Sequence, residues 1–156
     1  MPGGEIHQKA NLNRCRDTEG SIARSKSKID FLPKEDGIGE NWLKKFGWCK
    51  GDPFVCLLVR DSAYLEKESS LKGNWDYHNY RDTNIDTYVP AVEWLANQGI
   101  LVFRMGKFMK KPLTTANSNI IDYAFHRDKC DFLDIWLFAN CSLCITTGTG
   151  PDQVSQ

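Results

Sequence analysis

An unbroken apolar run, 54–59 (FVCLLV), stops abruptly at the charged pair Arg60-Asp61. It has the length of a strand and none of the alternation of a half-exposed one, so it reads as a strand covered on both faces. A second short run, 100–103, stops in the same way at Arg104. Between the two, Ile85, Val89, Val92 and Leu95-Ala96 recur at intervals of three and four, the pattern of a one-sided helix ending at Gly99 and capped by Asp86 or Thr87. Pro90 belongs in or next to its first turn, because further in it would remove a ladder hydrogen bond. Strand, loop, helix, strand is the right-handed crossover unit of a parallel sheet. Ligands of open α/β sheets bind beyond the carboxyl ends of the strands, which places Arg60 and Arg104 where an anionic ligand would be met.

The remaining segments extend the same plan. Residues 39–46 place Trp42, Leu43 and Phe46 at helical spacing, with Gly47 suited to the helix end. Residues 119–124 read as a third strand closed by Asp122-Tyr123, and 143–145 as a fourth buried strand running into Thr147-Gly148-Thr149-Gly150. Between them, 131–140 (DFLDIWLFAN) is a helix with Asp131 and Asp134 at the favourable end of its dipole and apolar residues on nearly every side, so all its faces should be covered. The expected fold is α/β, a Rossmann-like parallel sheet with flanking helices, occupying residues 37–156. Residues 1–36 read as a polar tail or the remnant of a preceding region, with Phe31-Leu32 as a short strand remnant. The basic cluster at 24–28 is either a phosphate-binding arm or a solvated stretch. The chain stops six residues after Gly150, in what should be the next helix, so a truncated piece of a longer protein is expected.

Bulk composition excludes several classes. Twenty basic residues balance twenty acidic ones, which removes any global argument for nucleic acid or a membrane surface. No apolar run approaches the roughly 18 residues of a membrane span, and the first residues lack the apolar centre of a signal peptide, so the cytoplasm is the simplest compartment. Six cysteines are too few for a disulfide scaffold and are read as reduced. Cys141-x-x-Cys144 has no second ligand pair for zinc and lies at a helix-to-strand junction, where a redox motif does not belong.

Local chemistry then decides. The turn 147–150 could present backbone N–H groups and hydroxyls to a diphosphate, although it lacks a P-loop ending and does not follow the first strand. The stretch 104–111 (RMGKFMKK) carries four cations and no acid. Residues 62–83 form a long loop whose Trp75, Tyr77 and Tyr80 suggest an ordered, ligand-facing segment. Asp61, Asp82 and Asp122 could accept from a sugar or base or could cap turns, and His78 could carry a proton or be solvated.

Val59-Arg60-Asp61, Tyr80-Arg81-Asp82-Thr83-Asn84-Ile85, Gly99 through Arg104-Met105-Gly106, Ile120-Ile121-Asp122-Tyr123-Ala124 and DFLDIWLFANC leading to TTGTG, in that order and spacing, resemble a family of microbial glycosyltransferases associated with surface-polysaccharide gene sets. The resemblance covers about 39–150, and the strand-Arg-Asp feature is more distantly similar to the donor half of fucosyltransferase-type GT-B enzymes. It implies a C-terminal half that binds a nucleotide-sugar without a metal or other cofactor, acting on a glycan or lipid-linked acceptor held by an N-terminal half. Catalysis would then involve Arg60, with Asp61 beside it. Arg104, Met105, Gly106, Asp122 and Tyr123 would line the nucleotide pocket, and Thr147, Gly148 and Thr149 would hold the pyrophosphate. The terminal turn departs from the family, having Gly148-Thr149-Gly150-Pro151 where a Ser-Gly pair is expected. A non-catalytic nucleotide-binding or assembly module of the same fold is the alternative.

Overall fold

The computed structural model of the chain describes residues 29–67 and 76–155. The basic cluster at 24–28, Cys15 and Trp75 lie outside the described residues, as do the side chains of Tyr77 and His78. Four strands, β1 (Phe54–Leu58), β2 (Leu101–Arg104), β3 (Ile120–Ile121) and β4 (Leu143–Thr146), form one all-parallel sheet in the order β3-β2-β1-β4. The fold is therefore α/β and Rossmann-like, with helices α1 (Pro33–Lys44), α2 (Ala63–Lys67), α3 (Val89–Asn97) and α4 (Asp131–Asn140).

The alternation of side chains along β1 divides the core. Phe54, Cys56 and Leu58 join Phe103, Trp42, Trp136 and Leu137 on the face shared with α1 and α4. Val55, Leu57 and Val59 join Val92, Ala96 and Val102 on the face covered by α3. A strand clothed on both sides needs no polar alternation, which is why the 54–59 run is continuous. Two tryptophan indoles tie the helical layer down: Trp136 donates to Asp36 Oδ1 at 3.0 Å and Trp42 to Asp128 Oδ2 at 3.2 Å. No helix among the described residues is long and apolar enough to cross a membrane.

Several local expectations change. Phe31-Leu32 is no strand: Leu32 is the extended residue before α1, its N–H donating to Glu35 Oε2 at 2.8 Å with Pro33 following at the first turn. The helix thus begins ahead of the expected boundary at residue 36. The expected strand 119–124 shrinks to two residues, because Tyr123–Phe125 turns into a 3₁₀ helix. Helix α3 is approached through a 3₁₀ turn, Ile85–Tyr88, whose cap is Asn84 through its side-chain acceptor to Asp86 N, while Asp86 pairs with Lys111 at 2.5 Å. The loop after β1 contains α2 and a 3₁₀ segment, Asp76–Arg81. Two apolar segments are less covered than expected: Ile135 of α4 is 45% exposed, and β4 is an edge strand with Leu143 51% exposed.

Candidate functional site

The strand order contains a reversal. From β1 the chain moves outward through β2 to β3, then crosses back to place β4 on the opposite side of β1. Loops leaving β1 and β4 therefore diverge, opening a crevice at the carboxyl ends of these two strands, the place where open α/β sheets hold ligands. A cleft of about 800 Å³ lies there, walled by residues following β1, β2 and β4 and by the first turns of α4.

Arg60 stands at the crevice. Its backbone N–H donates to Thr147 Oγ1 at 2.9 Å, and its Nε pairs with Asp82 Oδ1 at 3.0 Å. Among the described residues nothing else pairs with its side chain, so the terminal amino groups keep their donors for the cleft that Arg60 lines. Arg81 lines the same cleft and is held to the β4 turn through Nη1 to the Gly148 carbonyl at 3.3 Å. On the β2 side, Phe108 and Tyr64 stack at 6.3 Å with Lys67 4.8 Å above the Phe108 ring, giving that wall an aromatic rim. Asp61 stitches α2 to this wall: Oδ1 accepts from Ala63 N and Oδ2 from Lys110 N, each at 2.9 Å.

The α4 wall has the opposite character. Asp131, Asp134, Ile135 and Phe138 line it. Burial pushes the Asp134 carboxyl above its ordinary range, while the Lys129 ammonium opposes the shift. Lys129 itself is pushed down by burial, and its ammonium donates to the carbonyls of Gly106, Lys107 and Ala124, clamping the post-β2 loop. Gly106 sits at φ +147°, a backbone conformation that residues with a side chain rarely adopt.

Comparison with family models, with curated proteins and with solved structures found no match to this chain. The glycosyltransferase resemblance therefore rests on the order and spacing of its motifs.

Of the residues selected from sequence, Arg60, Asp61, Gly106 and Thr149 line the cleft. Arg104 does not: it is 1% exposed, paired with Asp122 at 3.0 Å and donating to the Lys111 carbonyl at 3.3 Å. It is the last residue of β2 rather than the first beyond it, so its guanidinium braces the post-β2 loop from inside. Asp122 completes that brace by accepting from Leu113 N at 2.7 Å. Met105 and Tyr123 are fully buried, the Tyr123 hydroxyl donating to the Cys130 carbonyl at 3.2 Å. Thr147 and Gly148 border the cleft only through their bonds to Arg60 and Arg81. The turn's N–H groups are also occupied. Thr149 N donates to Asp152 Oδ2 at 3.2 Å, Gly148 N to Thr146 Oγ1 at 3.1 Å, and Asp152, 5% exposed, takes the place expected for a phosphate. Tyr80, 80% exposed, faces solvent. Arg81, Tyr64, Phe108 and Asp134 are the site residues that sequence reading did not select. The motif around Arg81 carried a signal, its density of Arg and Asp; the other three had none.

Proposed function

We propose that this chain is the donor-binding half of a glycosyltransferase that moves a sugar from a nucleotide-sugar to a cell-surface glycan or lipid-linked acceptor. The observation that carries the reading is Arg60: a guanidinium at the reversal of strand order, paired through Nε with Asp82 and lining a cleft large enough for a nucleotide-sugar. Breaking the bond between sugar and diphosphate concentrates negative charge on the leaving oxygens, and a fixed cation stabilises that charge more than the ground state. Arginine suits the task because it stays ionised and can donate to two oxygens together. Arg81, on the β4 side, adds a second cation.

Diphosphate in this arrangement rests on Arg60 and Arg81 rather than on the N–H groups of the 147–149 turn, which already donate to the Leu58 carbonyl, Thr146 Oγ1 and Asp152 Oδ2. That internal engagement, with the commitment of both Asp61 oxygens to backbone donors, favours the second reading, a nucleotide-binding module without turnover. Thermal melting separates binding from its absence: a nucleotide-sugar should raise the melting temperature, and Arg60→Ala should remove the rise. An equal rise in wild type and variant would rule out Arg60 as the ligand's anchor. Release of nucleoside diphosphate in the presence of acceptor would then decide for transfer over binding alone.

A further inference from the structure

Resting on the nucleotide-sugar reading of the cleft, we propose that the wall built by α2 and the loop after β2, where Tyr64 meets Phe108, holds the base of the nucleotide by stacking. The two rings come from segments far apart in sequence, and side chains tie those segments together. Asp61 accepts from Ala63 N at the start of α2 and from Lys110 N in the Phe108 loop, each at 2.9 Å. A second, exposed tie joins the same segments, from Lys110 Nζ to Glu66 Oε1 at 3.2 Å. The Lys129 ammonium fixes the loop at its root by donating to the carbonyls of Gly106 and Lys107. Within that frame the rings lie 25° from parallel with centroids 6.3 Å apart, and Lys67 Nζ stands 4.8 Å from the Phe108 centroid. Tyr64 is 41% exposed and both rings line the cleft, so the stack ends at open space rather than in the core.

The chemistry of this wall selects its occupant. Diphosphate belongs with Arg60, directly after β1, and Arg81, bonded to the turn after β4, so the α2 wall receives another part of the ligand. Of the parts of a nucleotide-sugar, only the base is planar and aromatic, and a third planar group continues a column that two rings have begun. A pyranose also packs on aromatic rings, but it needs acceptors for its hydroxyls, and the carboxylates here are spent. Asp61 takes two main-chain N–H groups, and Glu66 accepts from Ser62 and pairs with Lys110. The opposite wall offers no comparable ring, since Phe138 of α4 is 4% exposed. Recognition by a ring face with few free acceptors beside it tolerates any base, because every base has a π-face.

Titration calorimetry of the full chain with inorganic pyrophosphate, UDP, GDP, UDP-glucose and GDP-mannose tests the assignment. Wild type should bind at least one nucleoside diphosphate about tenfold more tightly than pyrophosphate, the size of one base–aromatic stack. Tyr64→Leu removes an exposed ring and keeps apolar bulk. It should weaken that diphosphate and its sugar-bearing form alike, by about tenfold, while leaving pyrophosphate within about twofold. Phe108→Leu provides a second variant should Tyr64→Leu fold poorly, with the same selective loss expected. Loss confined to the sugar-bearing probe would put the sugar on this wall instead of the base. Equal loss for pyrophosphate, no loss, or a nucleoside diphosphate no tighter than pyrophosphate would remove the base from it. Each of these overturns the assignment while leaving diphosphate binding intact. Failure of wild type to bind any of the five would overturn the donor reading itself, and this inference with it.

Discussion

Asp122 and Arg104 show how a residue that looks like a ligand from sequence can be a brace. A guanidinium 1% exposed is tolerable only while a carboxylate answers it, here at 3.0 Å, with the Lys111 carbonyl as a further acceptor. Asp122→Ala should therefore cost about 3–5 kcal/mol, the loss characteristic of an uncompensated buried charge. Urea denaturation measures it, and a loss below about 1 kcal/mol would show that the pair behaves like a surface one. Asp134 makes the opposite prediction. Its folded-state carboxyl is raised by burial, so the folded chain holds that proton more tightly than the unfolded chain. Stability then falls as pH rises from the unfolded value through the raised folded one, and the ionised group is a liability at neutral pH. Asp134→Asn should melt at a higher temperature than wild type at pH 7, with the advantage vanishing below about pH 3.8, the unfolded carboxyl range. A variant less stable at pH 7 would mean that Asp134 holds a compensating donor.

At the scale of elements, the contact between α1 and α4 is set by the absence of a side chain. A Cβ placed on Gly39 would stand 2.2 Å from the Trp136 ring, whose indole is fixed by Asp36. Gly39→Ala should accordingly destabilise the chain by about 1–3 kcal/mol despite a gain in helix propensity. A thermal melt at or above wild type would show that the helices can separate without loss. The elements themselves were legible because each rests on a one-dimensional signal. The continuous run at 54–59 announced a strand covered on both faces, and the spacing of Val89, Val92 and Ala96 announced a one-sided helix. What was not legible depends on distance in space. Nothing in the turn 147–150 shows that Asp152 folds back to accept from Thr149 N while Thr146 Oγ1 takes Gly148 N. Likewise, the strand-end position of Arg104 does not reveal whether its side chain turns outward or meets Asp122. Arg60 was found because its signal, an arginine directly after a buried strand, coincides with a place fixed by topology. Asp134 was read as a helix-end charge because the cleft beside it appears only when α4 lies across the strand ends.

Across the whole molecule, the reversal of strand order has an energetic consequence as well as a functional one. β4 is joined to the sheet by a single ladder to β1, and its side chains are exposed or half-buried, whereas β1 and β2 are buried throughout. Local opening free energy follows buried contact and protected hydrogen bonding, so β4 and the turn after it should be the first part of the sheet to open. The proposed ligand site lies against that element: Arg60 is bonded to Thr147 and Arg81 to the Gly148 carbonyl. A ligand held by both arginines connects the end of β1 to the end of β4, and a ligand present at about 100 times its dissociation constant stabilises the bound form by about 2.7 kcal/mol. That stabilisation should be unevenly distributed. Hydrogen exchange in the presence of nucleotide-sugar should slow most at Cys144–Thr146 and at the 147–149 turn, and least in β2, whose amides are already protected by burial and pairing on both sides. Uniform slowing would indicate stabilisation of the whole domain from elsewhere, and slowing confined to β3 would move the ligand to the other end of the sheet, away from Arg60.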